Sequence, residues 1–500
     1  MKLKIYLLKI FPILIIWAVG FFLRCYRQSS LLPFYYDQGR DAKMAADIIS
    51  LKNFPAIGPT TGIEGLFLGP FWYYLITPGY FIGQGNPVIA SYFIAFLESL
   101  TIPLIFYLVK TYWRRDTAYL AAILWAFSHY LIRSSRWFSN PSPLPTMVLI
   151  SMILLIKIFK DKKYHYLPWV ALVFGLSLQL EAASAIFFFP ILLIFALINF
   201  TSLKKIKLFT WIKSIFTFGI LLLPELAFEL KNDFLISRKF IGFLLGRVNS
   251  DTGKSWAIPT FSFLANRLNA YYQSFYSKLD TNVTRYSIIF LIIFIIGIFF
   301  LIKKYKNNIL IRLQLLWLFV PLFLLLFFVG NYGNLYDYYL TGFFPAFIIL
   351  FSVIVTLPKN KILYLLSIFL TTVYFFNGNY IPLKSYLGAG IDGVENITYG
   401  NEILAVDYVC KKNSEQPGNY DVYVPPVIAH AYEYLFQWRQ SKGLCPPFIS
   451  ERNSNLYIIY EVDPPHPERL DNWFDKYKQD KLIHEEFFGG VRVKQLLRKS

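Results

Sequence analysis

Charge is scarce in this chain. Only 16% of its 500 residues are Asp, Glu, Lys or Arg, whereas 56% are hydrophobic and 19% aromatic. A set of soluble domains of this total length would carry about 25% charge, so the composition excludes them and indicates a polytopic membrane protein. Cysteine is rarer still. Cys25, Cys410 and Cys445 are the three present; none lies in a close pair near a histidine, so a zinc module is not expected. Five histidines are scattered along the chain, with His430, His466 and His484 near its end, and none pairs at metal-ligand spacing. No tandem repeat and no low-complexity tract occurs.

Acid is the scarcer sign, and the formal charge is +19. Its distribution argues against a nucleic-acid partner. Residues 1–379 hold 35 basic against 14 acidic side chains, while residues 380–500 hold 14 against 16. The basic excess therefore belongs to the apolar part, where it reads as an orientation signal.

A helix needs about 20 apolar residues to cross the hydrocarbon core. Eleven segments qualify as expected spans: 7–23, 88–109, 116–133, 143–159, 166–180, 183–199, 207–228, 286–302, 310–330, 338–357 and 361–377. The first has the basic start of a signal peptide but no small-residue cleavage site after it, and reads as a retained helix. Lys2/Lys4/Lys9, Lys110/Arg114/Arg115, Lys160/Lys162/Lys163, Lys204/Lys205/Lys207, Lys303/Lys304/Lys306 and Lys359/Lys361 all fall on one side of this map. By the positive-inside rule that side is the cytoplasm, which also holds the N-terminus. The map leaves three large pieces outside: 24–87, 229–285 and everything after 377. The expected fold is mostly α: a helical membrane bundle over 1–379 and a small extracytoplasmic α/β domain over 380–500.

Within the first outer loop, residues 37–51 keep Ala45, Ile48, Ile49 and Leu51 near one face at helical spacing, as in a short amphipathic helix lying on the membrane. The run Gly69-Pro70-Phe71-Trp72-Tyr73-Tyr74 is too short for a span and suits the membrane interface. In the last part, helices are expected at 402–411, 428–440 and 470–479, and strands at 421–424, 456–460 and 491–497. Cys410 and Cys445 both lie there, either as a disulfide or as two free thiols. Asn282-Val283-Thr284 and Asn396-Ile397-Thr398 fit the glycosylation pattern, which arises by chance in a chain of this length.

The polar centre of the first loop reads Tyr36-Asp37-Gln38-Gly39-Arg40-Asp41-Ala42. Asp37, Arg40 and Asp41 share one helical face. A carboxylate beside a cation suits a base and a phosphate binder, or simply a first helical turn capped by Asp37. This motif, the Pro-aromatic run of residues 69–74, the many-span layout and the outward C-terminal domain resemble the C-type (GT-C) superfamily of membrane glycosyltransferases. The likeness is to the branch of protein mannosyltransferases and lipid A aminoarabinose transferases (glycosyltransferase family 39-like), and it covers about the first 380 residues. It implies transfer of a sugar from a polyprenyl-phosphate carrier to a hydroxyl or amine of a lipid, polysaccharide or protein on the outer face. By position it assigns the base to Asp37. A second acid often follows directly in that family, where this chain has Gln38; Asp41 could take its place one turn on. The resemblance admits a divalent metal, but the residues do not call for one.

Departing phosphate needs a cation, and arginine binds it through two N–H groups at once. Arg40 is the first candidate, with Arg133 and Arg136 after the third span as phosphate binders or headgroup anchors. Asn140 falls where the related enzymes often have an acid. Glu225 and Glu229 at the outer end of the seventh span, and Asp337 with Tyr338 at the mouth of the tenth, complete the candidate substrate-binding set, because ionisable residues near a span tend to face a cavity. Glu98 and Glu181 read as interhelical hydrogen-bonding partners. Two other functional classes fit the layout: a transporter or flippase of lipid-linked saccharides, and a membrane-anchored receptor. Concentration of polar residues in large outer loops rather than at the midplane favours the enzyme over the flippase.

Overall fold

The computed structural model describes residues 2–244, 259–281, 286–328, 334–425 and 428–499. The triplet Asn282-Val283-Thr284 lies outside them.

Each expected span falls on a helix or a broken run of helices. Five helices among the described residues are long and apolar enough to cross a membrane alone: Ile10–Leu31, Pro87–Tyr112, Ser287–Tyr305, Asp337–Val355 and Lys361–Gly388. Leu208–Leu221 and Leu223–Lys231 make a sixth only if their 50° bend is counted as one broken span. The remaining apolar segments are shorter or interrupted. Residues 116–133 divide at Ser128 into Arg115–Phe127 and His129–Arg136, and the Ser128 hydroxyl caps the second piece. The expected spans 166–180 and 183–199 part at Glu181, whose carboxylate accepts the Ala183 N–H at 3.2 Å. Apolar segments are thus more numerous than unbroken spans, because polar caps and proline interrupt the i→i−4 ladder within them.

Outward faces of the long helices are apolar: Ile288, Ile292, Ile296 and Phe299 on one, Ile362, Leu365 and Phe369 on another. Surfaces of this kind suit a hydrocarbon solvent. Inside the bundle Trp125, Leu149, Trp317 and Phe347 belong to one buried core. Arg24, fully buried at the end of the first helix, donates Nε to Glu98 Oε2 at 2.7 Å and reaches the carbonyls of Gly20, Trp125 and Ala126. Glu98 therefore ties the first span to the second, the structural role its sequence position suggested.

A second core joins parts far apart in sequence. Trp72, Ile76 and Tyr80 of the Phe71–Ile82 helix pack with Phe138 and with Tyr432, Leu435 and Tyr457 of the last hundred residues. The Tyr36–Ile49 helix enters this core through Ala42, Ala45 and Ile48. Ala42, Ala45 and Ile48 on its apolar face are covered by protein, where the periodicity alone suggested a membrane surface; Leu51, past the end of the helix, is 74% exposed.

The C-terminal sheet has four strands: β1 (Asn419–Tyr423), β2 (Asn455–Glu461), β3 (Lys481–Phe488) and β4 (Val491–Leu497), in the order β1-β2-β4-β3. β1 and β2 run parallel; the other pairs are antiparallel. The helices Tyr399–Glu415, His430–Ser441 and Pro467–Phe474 stand near their expected positions. β3 was not expected. Lys481, His484, Glu485 and Glu486 give it a charged look, which is how an edge strand avoids pairing with another chain. Gly489 at φ 62° turns it back into β4.

Cys410 and Cys445 form a disulfide, joining the Tyr399–Glu415 helix to the loop after His430–Ser441. Non-reducing peptide mapping should recover those two peptides linked and Cys25 as the one alkylatable thiol; three free thiols would contradict the fold described. Glu98→Ala should lower stability in detergent by about 3 kcal/mol, since it leaves the Arg24 guanidinium buried without its counter-charge; a melting temperature equal to wild type would refute that.

Candidate active site

The Tyr36–Ile49 helix starts where an extended Tyr35 ends the loop. Gln38 closes its first turn: Oε1 accepts the Tyr35 N–H at 3.0 Å, while Nε2 donates to the Phe138 carbonyl at 3.0 Å. The amide at this position both caps the helix and anchors it to the bundle, using donor and acceptor together. A carboxylate there could not donate to Phe138.

Downstream, the helical spacing brings Asp37, Arg40 and Asp41 together. Arg40 donates Nε and Nη2 to Asp41 Oδ1 at 2.9 and 2.7 Å, and Nη1 stands 2.9 Å from Asp37 Oδ1. The Tyr73 hydroxyl is a further hydrogen-bond partner of Arg40, and the Tyr36 ring lies 5.8 Å from the guanidinium. Exposure differs sharply across the three. The Asp37 side chain is 61% exposed, Arg40 19% and Asp41 3%. Asp41 Oδ2, the oxygen turned away from Arg40, accepts the Trp72 indole N–H at 2.7 Å.

Burial raises the Asp41 carboxyl to about 6, against the pull of Arg40 and Trp72. At neutral pH it is an ionised group that orients the guanidinium and has no oxygen left for a substrate. Asp37 has one. Its carboxylate faces water with a single ion-pair partner, and a positioned carboxylate in that state can take a proton from an incoming hydroxyl or amine. Arg40 presents the edge that meets Asp37 to the same open side, a geometry suited to an oxyanion.

Three other expected residues, Tyr338, Glu225 and Asn140, have partners of their own. Tyr338 is within electrostatic reach of Asp37 and stacks on Tyr336 with centroids 5.6 Å apart. Glu225 Oε2 accepts from Gln179 Nε2 at 3.4 Å, and Gln179 Oε1 accepts the Phe71 N–H at 3.2 Å. The start of the Phe71–Ile82 helix is thereby held to the bundle. Asn140 Nδ2 donates to the Leu180 carbonyl at 2.5 Å, beside the break at Glu181.

Three expected residues, Arg136, Glu229 and Asp337, are held in contacts of their own, and a fourth, Arg133, is not. Arg136 is fully buried and donates Nη1 to the carbonyls of Leu23, Arg24 and Tyr26, with Nε to the Tyr386 hydroxyl at 3.2 Å, closing the end of the first helix. Glu229 accepts the Ile236 and Ser237 N–H groups at 2.7 and 2.9 Å and caps the Leu235–Leu244 helix. Asp337 is held by Lys278 at 2.9 Å and by the Ser274 hydroxyl. Arg133 is exposed; its carbonyl accepts the Trp137 N–H at 3.2 Å, and its side chain makes no hydrogen bond or ion pair among the described residues. Among those residues no group of three or more His, Cys, Asp or Glu side chains is arranged to hold a metal ion.

Sequence reasoning missed Trp72, Tyr73, Gln179 and Lys278 as individual contributors. The aromatic run at 69–74 was the available signal for the first two; a lone glutamine and a lone lysine carry none. Replacing Trp72 by Phe removes the donor to Asp41. The difference in tryptophan emission between wild type and Trp72→Phe should therefore titrate with a midpoint near 6 and lose that transition in an Asp41→Asn background. A pH-independent difference would contradict the contact.

Residues 68–228 match the sequence profile of the dolichyl-phosphate-mannose-protein mannosyltransferases. No curated protein matches the sequence. Among solved structures, ArnT from Cupriavidus metallidurans bound to undecaprenyl phosphate is similar at a TM-score of 0.60 and 9% identity, covering 99% of this chain and 98% of that one. The archaeal oligosaccharyltransferase AglB from Archaeoglobus fulgidus, in complex with an inhibitory peptide and a dolichol-phosphate, is similar at 0.54 and 12% identity, over 97% of this chain and 74% of that one. Residues 68–228 thus share the sequence pattern of that mannosyltransferase family, and along its length the chain is similar in fold to ArnT.

Proposed function

We propose that the chain is an integral membrane glycosyltransferase that moves a sugar from a polyprenyl-phosphate donor to a hydroxyl or amine of a lipid, polysaccharide or protein outside the cytoplasm. The observation that carries the reading is the exposed Asp37 carboxylate beside the Arg40 guanidinium, with Arg40 fixed from behind by Asp41. Support for the donor class comes from the undecaprenyl phosphate of ArnT and the dolichol-phosphate of AglB, and support for the side from the lysine and arginine clusters.

In this reading Asp37 removes the acceptor proton as the acceptor oxygen or nitrogen attacks the anomeric carbon, and the bond to the carrier phosphate breaks. Arg40 meets the charge that builds on the leaving phosphate; Nη1 exchanges part of its contact with Asp37 for that oxyanion. Asp41 and Trp72 stop the guanidinium from following the phosphate out. Arg133, exposed and unpaired among the described residues, is the second cation offered to the carrier. Tyr338, within electrostatic reach of Asp37, and Asn140 and Glu225 stand as substrate-binding candidates.

Membranes or purified protein supplied with radiolabelled polyprenyl-phosphate sugars test this. Asp37→Asn should lower kcat between about 10²- and 10⁴-fold with little change in donor KM, and Arg40→Lys should raise donor KM because a point charge replaces a two-pronged contact. Undiminished transfer by Asp37→Asn would remove the base. Absence of transfer by wild type with every donor and acceptor would move the reading to a flippase.

A further inference from the structure

The C-terminal part touches the Tyr36–Ile49 helix at successive turns. At Gly39 there is no room for a side chain: a Cβ would run into the backbone of His430 and Ala431. One turn on, Lys43 Nζ pairs with Glu433 Oε2 at 2.6 Å, and His430 Nδ1 lies 3.1 Å from the same oxygen. The His430 ring packs on Tyr36 with centroids 4.9 Å apart, and Tyr36 in turn faces Arg40. The approach to the helix is held as well, since Tyr399 donates its N–H to the Leu32 carbonyl at 2.9 Å.

The same C-terminal helix grips the other half of the site. Tyr434 donates its hydroxyl to the Gly85 carbonyl at 2.6 Å and Trp438 its indole N–H to Gln84 at 3.1 Å, just past the Phe71–Ile82 helix that supplies Trp72 and Tyr73. Those two site-bearing helices have 14 and 12 residues, too short to be fixed by spanning a bilayer. Beyond the Asp41–Trp72 hydrogen bond that joins them directly, both are gripped by the same third helix, His430–Ser441.

We propose that the His430–Ser441 helix is a brace: it sets the position of Asp37 and Arg40 relative to Tyr73, with His430 and Glu433 as positioning residues and Gly39 as the contact that lets the two backbones meet. The Cys410–Cys445 disulfide fixes the brace from behind. The inference rests on the glycosyltransferase reading for its kinetic consequence and on geometry alone for its structural one, so each has its own readout.

The full-length protein in detergent is the material. Glu433→Gln and Lys43→Gln should each lower kcat about tenfold, with KM for the polyprenyl-phosphate donor within about twofold of wild type, because small misplacements of reacting groups act on turnover. The exchanged pair Lys43→Glu with Glu433→Lys should recover most of that loss, which a general weakening of the fold would not allow. Gly39→Ala should lower kcat further, on the order of 100-fold. Lys412→Ala, which breaks an ion pair with Glu415 on the same part of the chain, should leave kcat unchanged. Hydrogen exchange of residues 36–49 should accelerate in Glu433→Gln and not in Lys412→Ala. Unchanged kcat in both single charge variants, or unchanged exchange over 36–49, overturns the brace. If wild type transfers no sugar at all, the glycosyltransferase reading falls and the exchange measurement alone decides the brace.

Discussion

A carboxylate taken out of water lies at the centre of this structure. Asp41 is almost fully buried in a protein short of acidic residues, and it is kept there by two donations from Arg40 and one from Trp72. Burying a charge is tolerable only when it is paired and hydrogen-bonded. That requirement fixes much around it: the Tyr36–Ile49 and Phe71–Ile82 helices must meet, Arg40 must turn inward along one edge, and its remaining N–H groups must point to the open side. Asp37, which meets the other edge of the same guanidinium, stays exposed.

The same logic explains why many charges near the ends of the spans are not in the site. At these ends backbone groups lack helical partners, and a long polar side chain can satisfy several at once. Arg136 does so for the end of the first helix, and Glu229 for the start of Leu235–Leu244. Gln38 performs the task for the site helix itself. The helix breaks at Ser128 and Glu181 are capped in the same way; the first divides residues 116–133, which a hydropathy count joins into one whole span, and the second falls between two expected spans.

Legibility in the sequence followed the kind of interaction. Periodicity made the Tyr36–Ile49 helix readable, and its i, i+3, i+4 spacing brought Asp37, Arg40 and Asp41 together on paper as in the structure. The Cys410–Cys445 bond stood as one of two open alternatives, because pairing depends on a distance no spacing encodes. β3 escaped because its charges are those of a solvated loop as well as of an edge strand. The surface against which the site helix packs escaped for a related reason: an amphipathic face has the same period whether lipid or protein covers it.

By itself, then, the sequence determined the membrane character of the chain, through its apolar composition, and the local grouping of the acidic motif, through helical geometry that acts over four residues. Which of two adjacent carboxylates is buried, which arginine is open, and that residues 430–441 lie against residues 36–49 were decided by tertiary structure alone. Those outcomes depend on desolvation and on contacts between segments almost 400 residues apart, and neither leaves a periodic trace in the chain.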